Sequence, residues 1–145
     1  MSGRVLGLDV GTRRIGVAVS DPTKTIATPL YTLERQSLKT DLEHLRILCE
    51  TEDVESIIVG WPLETSGRLG GIARIVQGFI DELKKTTRLP VFKWDERLTS
   101  VAAERALTAS GVRGKRRKQL VDQVAAAIIL QGWLDRLEQD LGNVQ

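Results

Sequence analysis

Val5-Leu6-Gly7-Leu8-Asp9-Val10-Gly11-Thr12-Arg13-Arg14-Ile15-Gly16-Val17-Ala18-Val19-Ser20 is the stretch from which the architecture of this chain can be read. Two apolar runs, Val5 to Leu8 and Ile15 to Ser20, flank the turn-forming segment Gly11-Thr12-Arg13-Arg14, which is the pattern of a β-hairpin. Gly16, Val17, Ala18 and Val19 are small enough for close packing. A third extended run, Ile26 to Leu33, contains Pro29, and because proline removes a ladder donor this strand is predicted at an edge or with a bulge.

Beyond the hairpin the rhythm changes. Leu38, Leu42, Leu45 and Leu48 share one face of a helix predicted over 38–52. Ser56 to Val59 reads as a buried strand, and Ile72, Ile75, Val76, Phe79, Ile80 and Leu83 mark the face of the next helix. Between them runs the loop Trp61 to Gly71, with Pro62, Gly67, Gly70 and Gly71; a loop of that length in a compact domain is more often functional than idle. Pro90 to Trp94 follows as a strand, Ser100 to Ser110 as a helix stopped by Gly111, and Gln119 to Leu141 as a final helix ended by Gly142. A three-stranded antiparallel meander followed by two strand-helix units predicts an α/β fold: one mixed five-stranded sheet, its last two strands parallel, flanked by helices. With no repeat or linker, residues 1–145 are expected to form one domain.

Composition narrows the function classes. A single cysteine, Cys49, cannot form an internal disulfide, and Met1-Ser2-Gly3-Arg4 lacks the apolar core of a signal peptide, so a reducing cytoplasm is the expected location. The longest apolar run, Val124 to Leu130, is too short to span a membrane. The net charge is only +2, yet Arg113, Lys115, Arg116, Arg117 and Lys118 crowd positive charge into one short stretch and leave the rest of the chain net acidic. Such a block reads either as a solvated loop or as a grip on a polyanion whose reach is limited by screening to about 8 to 10 Å.

Three carboxylates stand where buried elements end or begin: Asp9 after Val5 to Leu8, Glu96 after Val91 to Trp94, and Asp122 before Val124 to Leu130. Singly, each has an ordinary reading. Asp9 can begin a turn, Asp95 and Glu96 can be solvated strand-end residues, and Asp122 can be a first-turn acid favoured by the helix dipole. Together, at strand carboxyl ends where α/β sheets gather their sites, they form a candidate centre for hard divalent cations. Two such ions about 3.5 to 4 Å apart can activate water and stabilise the leaving oxygen in phosphodiester hydrolysis. Asp9 is the candidate to bridge two ions, with Gly7 and Gly11 leaving space around its strand end, while Glu96 and Asp122 each complete one shell. Asp95 is expected to face the opposite side from Glu96. Arg13, Arg14 and Arg97 lie beside these acids and could contact phosphate oxygens, and Thr12 and Thr99 could hydrogen-bond them. His44, off the leucine stripe, and Cys49, on its border, are assigned no catalytic role. Trp61, in its loop, is the tryptophan best placed to stack a base.

The run Leu6 to Asp21 resembles the opening motif of the YqgF, or RuvX-like, family of Holliday junction resolvase-like and precursor ribosomal RNA nucleases. Gly60-Trp61-Pro62-Leu63, Asp95 to Ser100 and Val121 to Gln131 resemble its later motifs in family order, over nearly the whole chain. The resemblance implies a ribonuclease H-like fold, cleavage of nucleic acid dependent on Mg²⁺ or Mn²⁺, and maturation of the 5′ end of precursor small-subunit ribosomal RNA, with ribosome-assembly partners. It carries an acidic triad onto Asp9, Glu96 and Asp122. The chain departs from the family at Glu64-Thr65, where Asn-Met is common after Pro-Leu; extra negative charge near a phosphate path could alter substrate choice. The related junction resolvases often carry two acids one turn apart on the last helix, whereas the residue three past Asp122 is Ala125. Branched DNA also demands paired cuts, normally from a two-fold homodimer, so RNA processing ranks above junction resolution. Two rival classes stand beside the nuclease. Asp9-Val10-Gly11-Thr12 is similar to the first phosphate loop of the actin, hexokinase and Hsp70 group, which hold ATP between two such domains where this chain supplies one. A non-catalytic nucleic-acid-binding module using the Arg113 to Lys118 block is the other.

Overall fold

Hydrogen bonding along the opening stretch closes the expected hairpin: β1 (Arg4–Val10) and β2 (Arg14–Ser20) pair antiparallel, with Asp9 opposite Gly16 and Val10 opposite Ile15. The computed structural model describes residues 3–61, 71–95, 99–111 and 113–142. The third strand, β3 (Ala27–Glu34), pairs antiparallel with β2 and occupies the sheet edge. Pro29 has both predicted consequences, because the register jumps from Val17 opposite Tyr31 to Ala18 opposite Pro29 and leaves Leu30 as a bulge.

Helix α1 (Leu38–Thr51) starts where the side chain of Ser37 accepts from the amide of Thr40, and it buries Leu42, Leu45 and Cys49 while Leu38 stays exposed. Strands β4 (Val54–Trp61) and β5 (Val91–Asp95) continue the sheet in parallel with β1, giving the order β3-β2-β1-β4-β5. The mixed five-stranded sheet is therefore as predicted, although β4 extends at both ends beyond Ser56 to Val59. Between β4 and β5, α2 (Gly71–Thr87) buries Ala73, Val76, Phe79, Ile80 and Leu83. Ile72 and Ile75 were expected on that face but are exposed. At about 100° per residue Ile75 points away from Val76, and the small Ala73 takes the first-turn contact in place of Ile72. Two helices finish the chain: α3 (Thr99–Ser110), ended by Gly111 at φ +80, and α4 (Lys115–Gly142).

Strand alternation sorts the core onto two faces. Leu6, Leu8, Val10, Ile15, Val17, Val19, Ile57 and Val59 pack against α1 and α2. On the other face Val5, Ala18 and Ile58 meet Ala126, Ile129, Leu130 and Leu134 of α4, with Trp94 and Trp133 alongside. Each fully buried Leu, Ile or Val contributes roughly 1.5 to 3 kcal/mol, so the sheet is gripped from both sides. Among the described residues no helix is long and apolar enough to cross a membrane.

Candidate functional site

Asp9 is the penultimate residue of β1, and alternation places it with Val5 and Gly7 on the face covered by α4. Its antiparallel partner is Gly16. A Cβ on Gly16 would overlap the carbonyl group of Asp122 and lie 2.9 Å from the amide nitrogen of Gln123, so only glycine lets α4 settle there. The backbone of Asp122 thus rests on the residue paired with Asp9, so the two residues lie at the same end of the sheet. Gly7 plays a related part, contrary to the expectation that it leaves space for ions: a Cβ there would come within 2.7 Å of Leu130 Cβ, so α4 fills that space. The α4 boundary also removes the ordinary reading of Asp122 as a first-turn acid. The helix begins at Lys115, about two turns earlier, out of range of a stabilising dipole interaction with Asp122.

Arg14, the first residue of β2, turns its guanidinium onto Asp122: Nε donates to Oδ2 at 2.6 Å. The hydrogen bond and charge of Asp122 hold the Arg14 pKa above its ordinary value, and Glu34, its partner on β3, adds to the effect. Thr12 and Arg13 are exposed on the turn. That turn is fastened from beneath. Gly11 donates its amide to the Arg14 carbonyl at 2.8 Å, and Arg35 donates from its backbone to the Arg13 carbonyl at 2.9 Å and from Nη1 to the Gly11 carbonyl at 3.2 Å. Arg35 in turn pairs with Asp41, Nε to Oδ2 at 3.3 Å, and lies 5.3 Å over the Phe79 ring. Asp41 is 2% exposed and also accepts from the Gln36 amide. Sequence reasoning missed this clamp. The signal was an acid at Asp41, one turn before Leu45 on the buried face of α1.

The basic block is helical, not a loop: Lys115, Arg116, Arg117 and Lys118 form the first turn of α4, and Arg113 precedes it. Arg113 and Arg116 are exposed, while Arg117 donates to Thr108 Oγ1 at 2.9 Å and ties α4 to α3. Cations at a helix N-terminus oppose the macrodipole, so helix stability does not account for them. Glu96 and Arg97 lie outside the described residues, as do Glu64 and Thr65 and the side chains of Thr99, Lys115 and Lys118. Trp61 has its ring covered by Lys93, whose Nζ lies 4.0 Å from the centroid. His44 bonds the Tyr31 hydroxyl at 2.8 Å, away from the acids. Phe92 and Trp94 pack against Trp133 on the α4 face, so the alternating position of Asp95 is on the opposite side.

Among the described residues no group of three His, Cys, Asp or Glu is placed to hold a metal ion. The two described acids of the predicted triad, Asp9 and Asp122, supply hard oxygen donors at one strand end, a donor set that fits Mg²⁺ or Mn²⁺ and not a soft metal.

The sequence pattern of the RuvX family, described as Holliday junction resolvase, matches residues 3–136. The chain belongs to the RuvX family. RuvX-like relatives named "Putative pre-16S rRNA nuclease" include one from Roseiflexus sp. (strain RS-1), 46% identical over 133 residues and covering 92% of this chain and 94% of the relative. Another, from Moorella thermoacetica, is 47% identical over 137 residues, with 94% and 98% covered. The solved structure of T. thermophilus RuvC in complex with Holliday junction substrate superposes with TM-score 0.60 at 15% identity, covering 94% of this chain and 96% of that one. The fowlpox virus Holliday junction resolvase gives 0.54 at 13%, covering 92% and 99%. These likenesses establish the ribonuclease H-like fold of this RuvX chain, and membership of RuvX places it among the nucleases, hydrolases that in general depend on divalent metal.

Proposed function

We propose that this RuvX chain is a one-domain cytoplasmic nuclease that matures the 5′ end of precursor 16S ribosomal RNA, with Asp9, Glu96 and Asp122 holding two Mg²⁺ or Mn²⁺ ions. The observation that supports the reading is the seat of the Asp122 backbone on Gly16, the strand partner of Asp9, with the two acids at the same end of the sheet although far apart in sequence. Bound divalent ions supply activation of the attacking water and stabilisation of the leaving oxygen. The chain's own residues do the rest. Asp9 is fixed by the β1 ladder and Asp122 by helix packing, so these two donors are held on regular elements. Arg13, Arg14 and Arg97 contact the phosphates flanking the cut, and Arg113, Lys115, Arg116, Arg117 and Lys118 hold the backbone farther along. The natural setting of such a substrate is an assembling small ribosomal subunit, whose proteins are the expected partners.

A second reading is supported by the RuvX description and by the RuvC likeness: resolution of branched DNA by a homodimer. The residue one turn beyond Asp122 weighs against it, since Ala125 is buried in the α4 face and offers no fourth acid. The test is cleavage of end-labelled structured RNA, single-stranded RNA and four-way DNA junctions by the wild type and Asp9→Asn, each with EDTA, Mg²⁺ or Mn²⁺. Metal-dependent cutting of RNA by the wild type alone supports the first reading. Symmetric cutting of junctions would move the assignment to the second, and binding without cutting in every lane would refute both.

A further inference from the structure

We infer that Arg14 is the resident counter-ion of Asp122 in the metal-free protein, and that metal loading releases its guanidinium to grip a phosphate of the nucleic acid. The inference rests on the reading of Asp122 as a metal ligand. Arg14 Nε donates to Asp122 Oδ2 at 2.6 Å, a short charge-assisted bond, so a divalent ion bound to this carboxylate competes with the guanidinium for its charge. Unlike charges hold Arg14 in place while the site lacks metal; once a dication arrives, the guanidinium faces a like charge beside its former partner.

The surroundings give it somewhere to go. The Arg14 side chain is 36% exposed at the start of β2, next to the exposed Thr12 and Arg13 on the turn. Glu34, its cross-strand partner, is also exposed and keeps the released side chain near the site without enclosing it. A guanidinium freed there presents the fork that suits a phosphate. Without metal, then, the carboxylate is neutralised and one phosphate contact is withheld. With metal, the same residue becomes available at the position where the substrate must lie.

The test is Mg²⁺ titration of the wild type, Arg14→Gln and Asp122→Asn, read by calorimetry and by the Arg14 Nε–H resonance of the wild type. The pair is part exposed, and interactions of that kind translate into a change of about two- to fivefold in affinity. Arg14→Gln is therefore expected to bind Mg²⁺ about two- to fivefold more tightly, and the Nε–H resonance to shift as the wild type fills. Equal or weaker Mg²⁺ binding by Arg14→Gln, with Asp122→Asn still lowering affinity, would overturn the counter-ion role and leave the metal site standing. Unchanged affinity in Asp122→Asn would remove the site reading itself, and the inference with it.

Discussion

At the scale of single residues, the position with least freedom is Gly16, because the main chain of Asp122 occupies the volume a side chain would need. Gly16→Ala must push α4 off β2. Overpacking of this kind costs about 1 to 3 kcal/mol, and a displacement of about 1 Å at a reacting site can cost on the order of 10²-fold in rate. The expected result is a lower melting temperature together with a loss of turnover larger than the loss of folded protein explains. Chemical denaturation and single-turnover cleavage, measured on the same sample, check both. The buried pair Arg35 and Asp41 makes a second prediction. Asp41→Ala leaves the Arg35 cation without its partner in a site only 16% exposed, a change that typically costs about 3 to 5 kcal/mol. Urea unfolding measures it, and a loss below about 1 kcal/mol would show that water already solvates the pair.

At the scale of elements, α1 and α4 carry separate tests. Cys49 of α1 is buried, and burial first and Glu50 second push its thiol up to about 11. The folded pKa is raised above the unfolded value of about 8.5, so the stabilising share is full below pH 8.5 and is lost as pH climbs through about 11. Melting temperature is expected to fall over that window in the wild type and less steeply in Cys49→Ala. For the start of α4, contact of all five basic residues with a single-stranded backbone would give a salt slope of at most about −3.5. Neutralising the exposed Arg113 and Arg116 should make the slope shallower by about 1.4, readable by fluorescence anisotropy between low and moderate salt. This element also shows where sequence reading stopped. The leucine stripe of α1 and the alternation of β1 and β2 were legible because burial on one face imposes a period. The first turn of α4 carries Lys115, Arg116, Arg117 and Lys118 with no apolar residue to mark a face, and Gly114 precedes it at φ +72, so nothing local distinguishes it from a loop. Its length is set by packing on α3, a tertiary contact without a local signature.

At the scale of the whole molecule, the sheet order places the parallel strands β4 and β5 beside β1 of the hairpin, and α4 covers the face on which Asp9 lies. Asp9 and Asp122 could be singled out from sequence because acids at the ends of apolar runs are unusual. What joins them, the glycine seat beneath α4, depends on register between β1 and β2 and on helix approach, and neither is encoded at the acids themselves. The clamp that holds the turn after Asp9 has the same character, since it draws on β3, α1 and α2 at once. The most direct measurement of the central claim is an anomalous difference map from crystals of this protein saturated with Mn²⁺. A peak bonded to carboxylate oxygens of both Asp9 and Asp122, at the roughly 2.0 to 2.6 Å typical of hard divalent ions, is the expected result. Mn²⁺ bound elsewhere, with those two carboxylates bare while the protein still cuts RNA, would contradict it.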